Sequence, residues 1–152
     1  MKRRDVLSAL AGAAVLPAAW AKAGMPSVQV FKDPNCGCCG AWVQHLEKAG
    51  FQVKVTEVTD TAAARSRLGM PSKFGGCHSA TVEGYVIEGH VPAAEIQQLL
   101  LKRPAALGLA VPGMPVGSPG MEMGPRVDPY DVLLIDRQGG AKVFARYPKK
   151  SV

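Results

Sequence analysis

The stretch VQVFKDPNCGCCGAWVQHLEKAG, residues 28–50, decides how the rest of the chain is read. Val28 to Lys32 is a short β-branched and aromatic run that stops at Asp33-Pro34-Asn35, as a strand does on running into a turn. From Gly40, the apolar positions Trp42, Val43, Leu46 and Ala49 fall at helical spacing, and Gly50 supplies a C-terminal stop. Between strand and helix stand Cys36, Cys38 and Cys39, three of the four cysteines in the chain. The first unit is therefore a strand, a cysteine-bearing turn and a helix.

Phe51 to Val58 alternates apolar and polar residues as a half-buried strand does, and Thr61 to Leu68 reads as a short helix capped by Thr59 or Asp60. A loop, Gly69 to Gly76, leads to Cys77-His78. Ala80 to Glu83 and Tyr85 to Glu88 then flank Gly84 as a hairpin. Pro92 suits the first turn of a helix with Ile96, Leu99 and Leu100 as its buried stripe, closed by Pro104. The order β-α-β-α-β-β-α over residues 28–103 resembles a minimal thioredoxin fold, so the expected class is α/β, thioredoxin-like. Pro104 to Asp128 is Pro/Gly/Met-rich and too long for an ordinary connection. Tyr130 to Asp136 and Ala141 to Tyr147, separated by Arg137-Gln138-Gly139-Gly140, form a closing hairpin. Residues 24–103 read as the main domain and 104–152 as an extension packed on it.

Composition narrows the function classes. A length of 152 residues suits one domain, and 47% hydrophobic with 20% charged residues excludes both a polytopic membrane protein and a disordered chain. Lys2, Arg3 and Arg4 open a segment that continues through a small-apolar run, Val6 to Ala19, and ends in Ala19-Trp20-Ala21 and Ala21-Lys22-Ala23. That is the layout of a cleavable export leader over residues 1–23, with processing near Ala21 or Ala23, and the arginine pair resembles a twin-arginine signal. The apolar run has 14 residues where a bilayer span takes roughly 20, so no permanent membrane anchor is expected. Removing the leader takes four of the 18 basic and one of the 12 acidic residues, which lowers the net charge from +6 to +3. No aromatic-interleaved basic stripe remains to bind nucleic acid.

Cys36-Gly37-Cys38-Cys39 holds a C-x-x-C, a C-x-C and a vicinal pair at once. A helix start favours thiolate, the form that attacks disulfides and binds metal. In a thioredoxin-like sheet the third strand runs antiparallel beside the first, so Cys77 and His78 at its start should meet the three cysteines at the end of strand one. His90, one strand further on, shares that end. Ordinary thioredoxins carry a cis-proline where His78 stands, and this departure argues for a ligand-bearing loop over a plain dithiol oxidoreductase. Thiolates select Cu(I), Zn(II) or iron–sulfur clusters. Structural zinc sites space their cysteines by two or more residues, and adjacent Cys38 and Cys39 would reach one ion awkwardly. Sulfurs shared among several Cu(I) ions fit the crowding better. Met114, Met121 and Met123, three thioethers in one loop, reinforce copper.

These residues carry a family resemblance. Cys36-Gly37-Cys38-Cys39, Cys77-His78, Gly89-His90-Val91-Pro92, Ala110 to Pro115 and Gly117 to Glu122 are similar to the motifs of the CopG family of exported copper-resistance proteins. The resemblance implies a periplasmic thioredoxin-like protein that holds a multinuclear copper cluster and cycles copper between Cu(I) and Cu(II). Its partners would be copper ions and other periplasmic copper-handling proteins. Cys36, Cys38, Cys39 and Cys77 become the metal ligands on this resemblance, with His78 beside them and His90, Met114, Met121 and Met123 as weaker candidates.

Blander readings stand alongside. Four cysteines in an exported chain ordinarily make two structural disulfides, although a C-x-C-C cluster closes only tiny loops. Cys36 and Cys39 are the redox pair if the protein is a thiol-disulfide oxidoreductase or isomerase. His45, about two helical turns beyond Cys38 and roughly 10 Å along the axis, reads as a surface residue. His78 could serve only a turn, His90 only the turn before Pro92, and the methionines only a packing flap. Trp42 and the Ile96/Leu99/Leu100 stripe are core by default. No Ser-His-Asp grouping, paired carboxylate or phosphate-cradling glycine motif stands out.

Overall fold

Val28 and Val30 are fully buried while Ser27 and Gln29 are not, the two-residue period of a strand with one face in a core. The computed structural model describes residues 24–149, and the proposed leader lies outside them. The strands are β1 (Ser27–Lys32), β2 (Gln52–Glu57), β3 (His78–Val82), β4 (Tyr85–Glu88), β5 (Gly108–Ala110), β6 (Tyr130–Ile135) and β7 (Ala141–Tyr147). The helices are α1 (Gly37–Lys48), α2 (Thr61–Arg67) and α3 (Ala93–Lys102), with a 3-10 turn at Ser72–Phe74. Through α3 this is the β-α-β-α-β-β-α order expected, in an α/β fold. No helix among the described residues is long and apolar enough to cross a membrane.

One sheet runs β2-β1-β3-β4-β5-β6-β7. β1 pairs parallel with β2 and antiparallel with β3, and β3 pairs antiparallel with β4. The central strands bury both faces. On one face Tyr85, Ile87, Leu109 and Leu134 pack with Trp42 and Leu46 of α1 and Ile96, Leu99 and Leu100 of α3. On the other, Val86, Ala110 and Ile135 pack with Met70 and Phe74 from the segment after α2. Alternation along β4, β5 and β6 thus feeds two apolar layers from one set of strands.

Most boundaries lie within a residue or so of the sequence reading; β3 runs His78–Val82 rather than the expected Ala80 to Glu83, and two further departures matter more. Helix α1 begins at Gly37 rather than Gly40, because the Cys36 N–H donates to the Asp33 carbonyl (3.1 Å) and the Asn35 N–H to Asp33 Oδ1 (2.7 Å), a turn that feeds the helix before its apolar period starts. The Pro/Gly/Met-rich stretch also contains a strand. β5 is only Gly-Leu-Ala, with no β-branched residue to signal it, yet it pairs parallel with β4 and antiparallel with β6, joining the closing hairpin to the sheet. Gly108 is required there, since a Cβ would overlap the Val86 backbone. Of the two expected caps of α2, Asp60 is the one used: its Oδ1 accepts from the Ala63 N–H at 2.8 Å.

The hairpin is fastened at its far end. Tyr147 stacks on Tyr130 with 5.0 Å between ring centroids, and its hydroxyl donates to Glu95 Oε1 of α3 at 2.6 Å. Lys149 Nζ reaches the same oxygen at 2.9 Å. A hydrogen bond to a charged group contributes ~2 kcal/mol, so Tyr147→Phe should lower the unfolding free energy by about that amount in urea titration. Burial, then Glu95, raises the Tyr147 phenol above its ordinary value. The folded state therefore holds this proton more tightly. Its contribution is complete below about pH 10, the unperturbed phenol value, and is lost as pH rises beyond it. The stabilities of wild type and Tyr147→Phe should accordingly converge in strongly alkaline buffer.

Candidate metal centre

Cys36 is the N-cap of α1, with extended backbone (φ −79°, ψ 95°) and no side-chain capping bond, and Cys38 and Cys39 lie in the first turn. The register of β3 on β1 sets Lys32 opposite His78, which brings residue 77 level with the turn that leads into α1. Cys38 Sγ is 3.8 Å from Cys77 Sγ and 3.4 Å from Cys36 Sγ, while Cys39 Sγ is 3.7 Å from the Cys77 carbonyl oxygen. The four sulfurs all lie within 4.8 Å of one another, so the convergence argued from topology holds. Two sulfurs bound to one ion at ~2.3 Å each, at a tetrahedral angle, stand about 3.8 Å apart, close to these spacings. Cys36 and Cys39 are joined as a disulfide, leaving Cys38 and Cys77 as free thiols. Four thiolates are available once that bond accepts two electrons. Of the four residues, Cys39 alone is fully buried.

His90 is nearer than the sequence reading placed it. Its Nε2 is 2.9 Å from Cys77 Sγ, and its Nδ1 is 2.8 Å from the Pro119 carbonyl. A carbonyl can only accept, so Nδ1 carries the proton and Nε2 offers a lone pair toward the sulfur, to which the Cys77 thiol donates. A carbonyl on the far nitrogen orients an imidazole in the way metal-ligating histidines are oriented. His78 is fully buried, with Nδ1 3.7 Å from Cys77 Sγ. Its Nε2 has no hydrogen-bond partner, the one such buried side-chain nitrogen or oxygen among the described residues. Cys77, His78 and His90 make a second group of potential ligands within 4.8 Å, and Cys77 belongs to both groups. Imidazole nitrogens beside soft sulfurs are a donor set suited to copper or zinc.

Electrostatics keep this half of the site neutral. Burial, with His90 adding to it, holds the His78 imidazole down to about 3, and burial also lowers His90. The Cys77 thiol is pushed up to about 12 by burial and by the Cys38 thiol beside it. The thiolate-promoting helix start therefore does not extend to Cys77, whose proton an incoming cation must displace.

The remaining residues fall into place around the sulfurs. Trp42 packs against His78 with 4.3 Å between centroids and the rings tilted by 39°, and it donates from Nε1 to the Val91 carbonyl at 2.8 Å, so this core residue is also a wall of the site. His45 is half-buried rather than on the open surface: its Nε2 accepts the Ala93 N–H at 3.0 Å, which satisfies a free donor at the start of α3. Met114 and Met123 are 54% and 67% exposed, and Met121 is partly exposed. Their loop meets the site through its backbone, at Pro119 and at Gly120. A Cβ on Gly120 would come within 2.8 Å of both Cys38 O and Trp42 N, and its φ of +88° also favours glycine.

Sequence reasoning missed the backbone role of Pro119 and Gly120, for which the Pro-Gly dipeptide was the available signal. It also missed Glu88 and Arg65. A carboxylate ending the otherwise apolar Tyr85-Val86-Ile87-Glu88, two residues before a histidine, was the clue.

Residues 74–121 match the protein family described as "Protein of unknown function, DUF411". No curated protein matches the chain. Two solved structures do. "Copper resistance protein copG- Form 2" is 49% identical with a TM-score of 0.78, and "Copper resistance protein copG- Form 1" is 50% identical with a TM-score of 0.77. Each alignment covers 82% of this chain and 99% of the other.

The raised Cys77 thiol has a direct chemical signature. In metal-free protein at pH 8, Cys77 should alkylate with iodoacetamide at least about a hundredfold more slowly than free cysteine, since only thiolate attacks. Peptide mass spectrometry over a time course reads that rate.

Proposed function

This chain belongs to the CopG family of copper resistance proteins, and from that premise we propose that its four cysteine sulfurs, once reduced, take up Cu(I) and share it as a multinuclear thiolate cluster. Such binding serves copper resistance by keeping the cuprous ion out of circulation. The observation that carries the reading is the meeting of Cys77 with Cys36, Cys38 and Cys39 from a remote segment, with Nδ1 of the buried His78 3.7 Å from the Cys77 sulfur. Cys36, Cys38, Cys39 and Cys77 hold the copper, with His78 and His90 on the Cys77 side. Copper supplies the one-electron chemistry. The chain supplies soft donors, a histidine tautomer fixed by Pro119, and burial that limits water. Met114, Met121 and Met123 are a softer outer set on the loop docked over Cys38 and His90. Residues 1–23 act as the export leader, which places the protein in the periplasm, where copper and other copper-handling proteins meet it. Protein recovered from that compartment should begin just after Ala21 or Ala23 by intact mass.

Anaerobic titration of the reduced protein, in competition with a chromophoric Cu(I) chelator, tests the assignment. More than one Cu(I) per chain is expected, and Cys38→Ser should lower that number. One zinc ion per chain with no copper uptake would overturn it.

The Cys36–Cys39 disulfide favours a second reading, a thiol-disulfide oxidoreductase. In that case metal-free protein reduces insulin, Cys36→Ser or Cys39→Ser abolishes the reaction, and Cys38→Ser leaves it unchanged.

A further inference from the structure

Glu88 closes β4 and is fully buried. Its Oε1 accepts from Arg65 Nε at 2.7 Å and from the Gly76 N–H at 2.8 Å, and its Oε2 accepts from the Ser79 hydroxyl at 2.5 Å. Arg65, on α2, donates from a second nitrogen, Nη2, to the Gly76 carbonyl at 2.8 Å. The ion pair thus grips one residue by both its N–H and its C=O. Gly76 immediately precedes Cys77, Ser79 immediately follows His78, and Glu88 stands two residues before His90. The network therefore touches the immediate chain neighbours of Cys77 and His78, and its carboxylate belongs to the strand that leads to His90.

Stability is a poor explanation for this arrangement, because well-packed apolar residues usually hold a buried site as well as an ion pair does. The local chain explains it better. Gly75 and Gly76 link the 3-10 turn to β3 with wide conformational freedom, and Gly76 must pass so near Gly89 that a Cβ would come within 2.6 Å of the Gly89 Cα. Cys77, at the end of that link, has to be held 3.8 Å from Cys38. We infer that the Arg65–Glu88 pair is the positioning element of the metal centre, fixing the Gly76 peptide so that the Cys77 sulfur stays within reach of the helix-borne cysteines. The inference rests on the copper-binding reading above.

Glu88→Gln, Arg65→Lys and Tyr147→Phe, each in the full chain, form the test. Cu(I) affinity is measured by chelator competition, and the number of sulfurs around copper by X-ray absorption. Loss of a group that orients a metal ligand typically weakens binding ~10- to 100-fold. Glu88→Gln and Arg65→Lys should show that loss together with fewer sulfurs per copper. Tyr147→Phe, which weakens the fold at the β7 edge of the sheet and outside the Arg65–Glu88–Gly76 network, should change neither. If Glu88→Gln fails to fold, Arg65→Lys decides alone, because it keeps a positive charge on α2 and removes the fork that spans Glu88 and the Gly76 carbonyl. Affinity and sulfur count equal to wild type in Arg65→Lys would overturn the inference, as would an equal loss in Tyr147→Phe. A wild type that takes up no copper overturns the copper reading and the inference with it, whereas a loaded wild type with indifferent variants overturns the inference alone.

Discussion

The antiparallel pairing of β3 with β1 is the constraint on which the rest depends. With Lys32 opposite His78, the residue before β3 is level with the turn after β1, and four cysteines separated by up to 41 positions become neighbours. A slip of one residue would turn Ala80 and Val82 away from the core they now share with Val28 and Val30, so burial of those side chains enforces the register. The chemistry of the site is therefore held in place by apolar packing on the face of the sheet that α1 and α3 cover. The same face supplies Trp42, which is part of the core and also packs against His78.

How much could be read in advance follows from the range of each interaction. Strand β1, helix α1 and the first crossover were legible because their apolar periods are local, and Cys77 could be placed beside the other three because handedness and strand order leave few alternatives. Strand β5 was illegible for the opposite reason: Gly108-Leu109-Ala110 becomes a strand only because β4 and β6 flank it. The start of α1 was misread since it depends on Asp33, a polar residue outside the helix. His45 was misread because its partner, the Ala93 N–H, comes from 48 residues away. The roles of Pro119, Gly120, Arg65 and Glu88 rest on backbone atoms meeting across the fold, which leave no periodic trace.

The site joins two halves of different character. The helix half is the cysteine-rich turn, where Cys36 and Cys39 are bonded to each other and Cys38 is free. The strand half is Cys77 with His78 and His90, all held neutral by burial, so none of these three side chains itself carries a positive charge to repel a cation. The Arg65 charge close by is matched by Glu88. Cys77 belongs to both halves, and its neighbours along the chain are the ones tied down by side-chain hydrogen bonds.

The neighbouring cysteines Cys38 and Cys39 are about 100° apart around the helix axis, and the fold treats them unequally, with Cys39 sealed inside and Cys38 in partial contact with solvent. A visitor from solution consequently encounters Cys36, Cys38 and Cys77 before it can touch Cys39. The centre thus has an open side and a closed one, set by the rotation of one helical residue past the next.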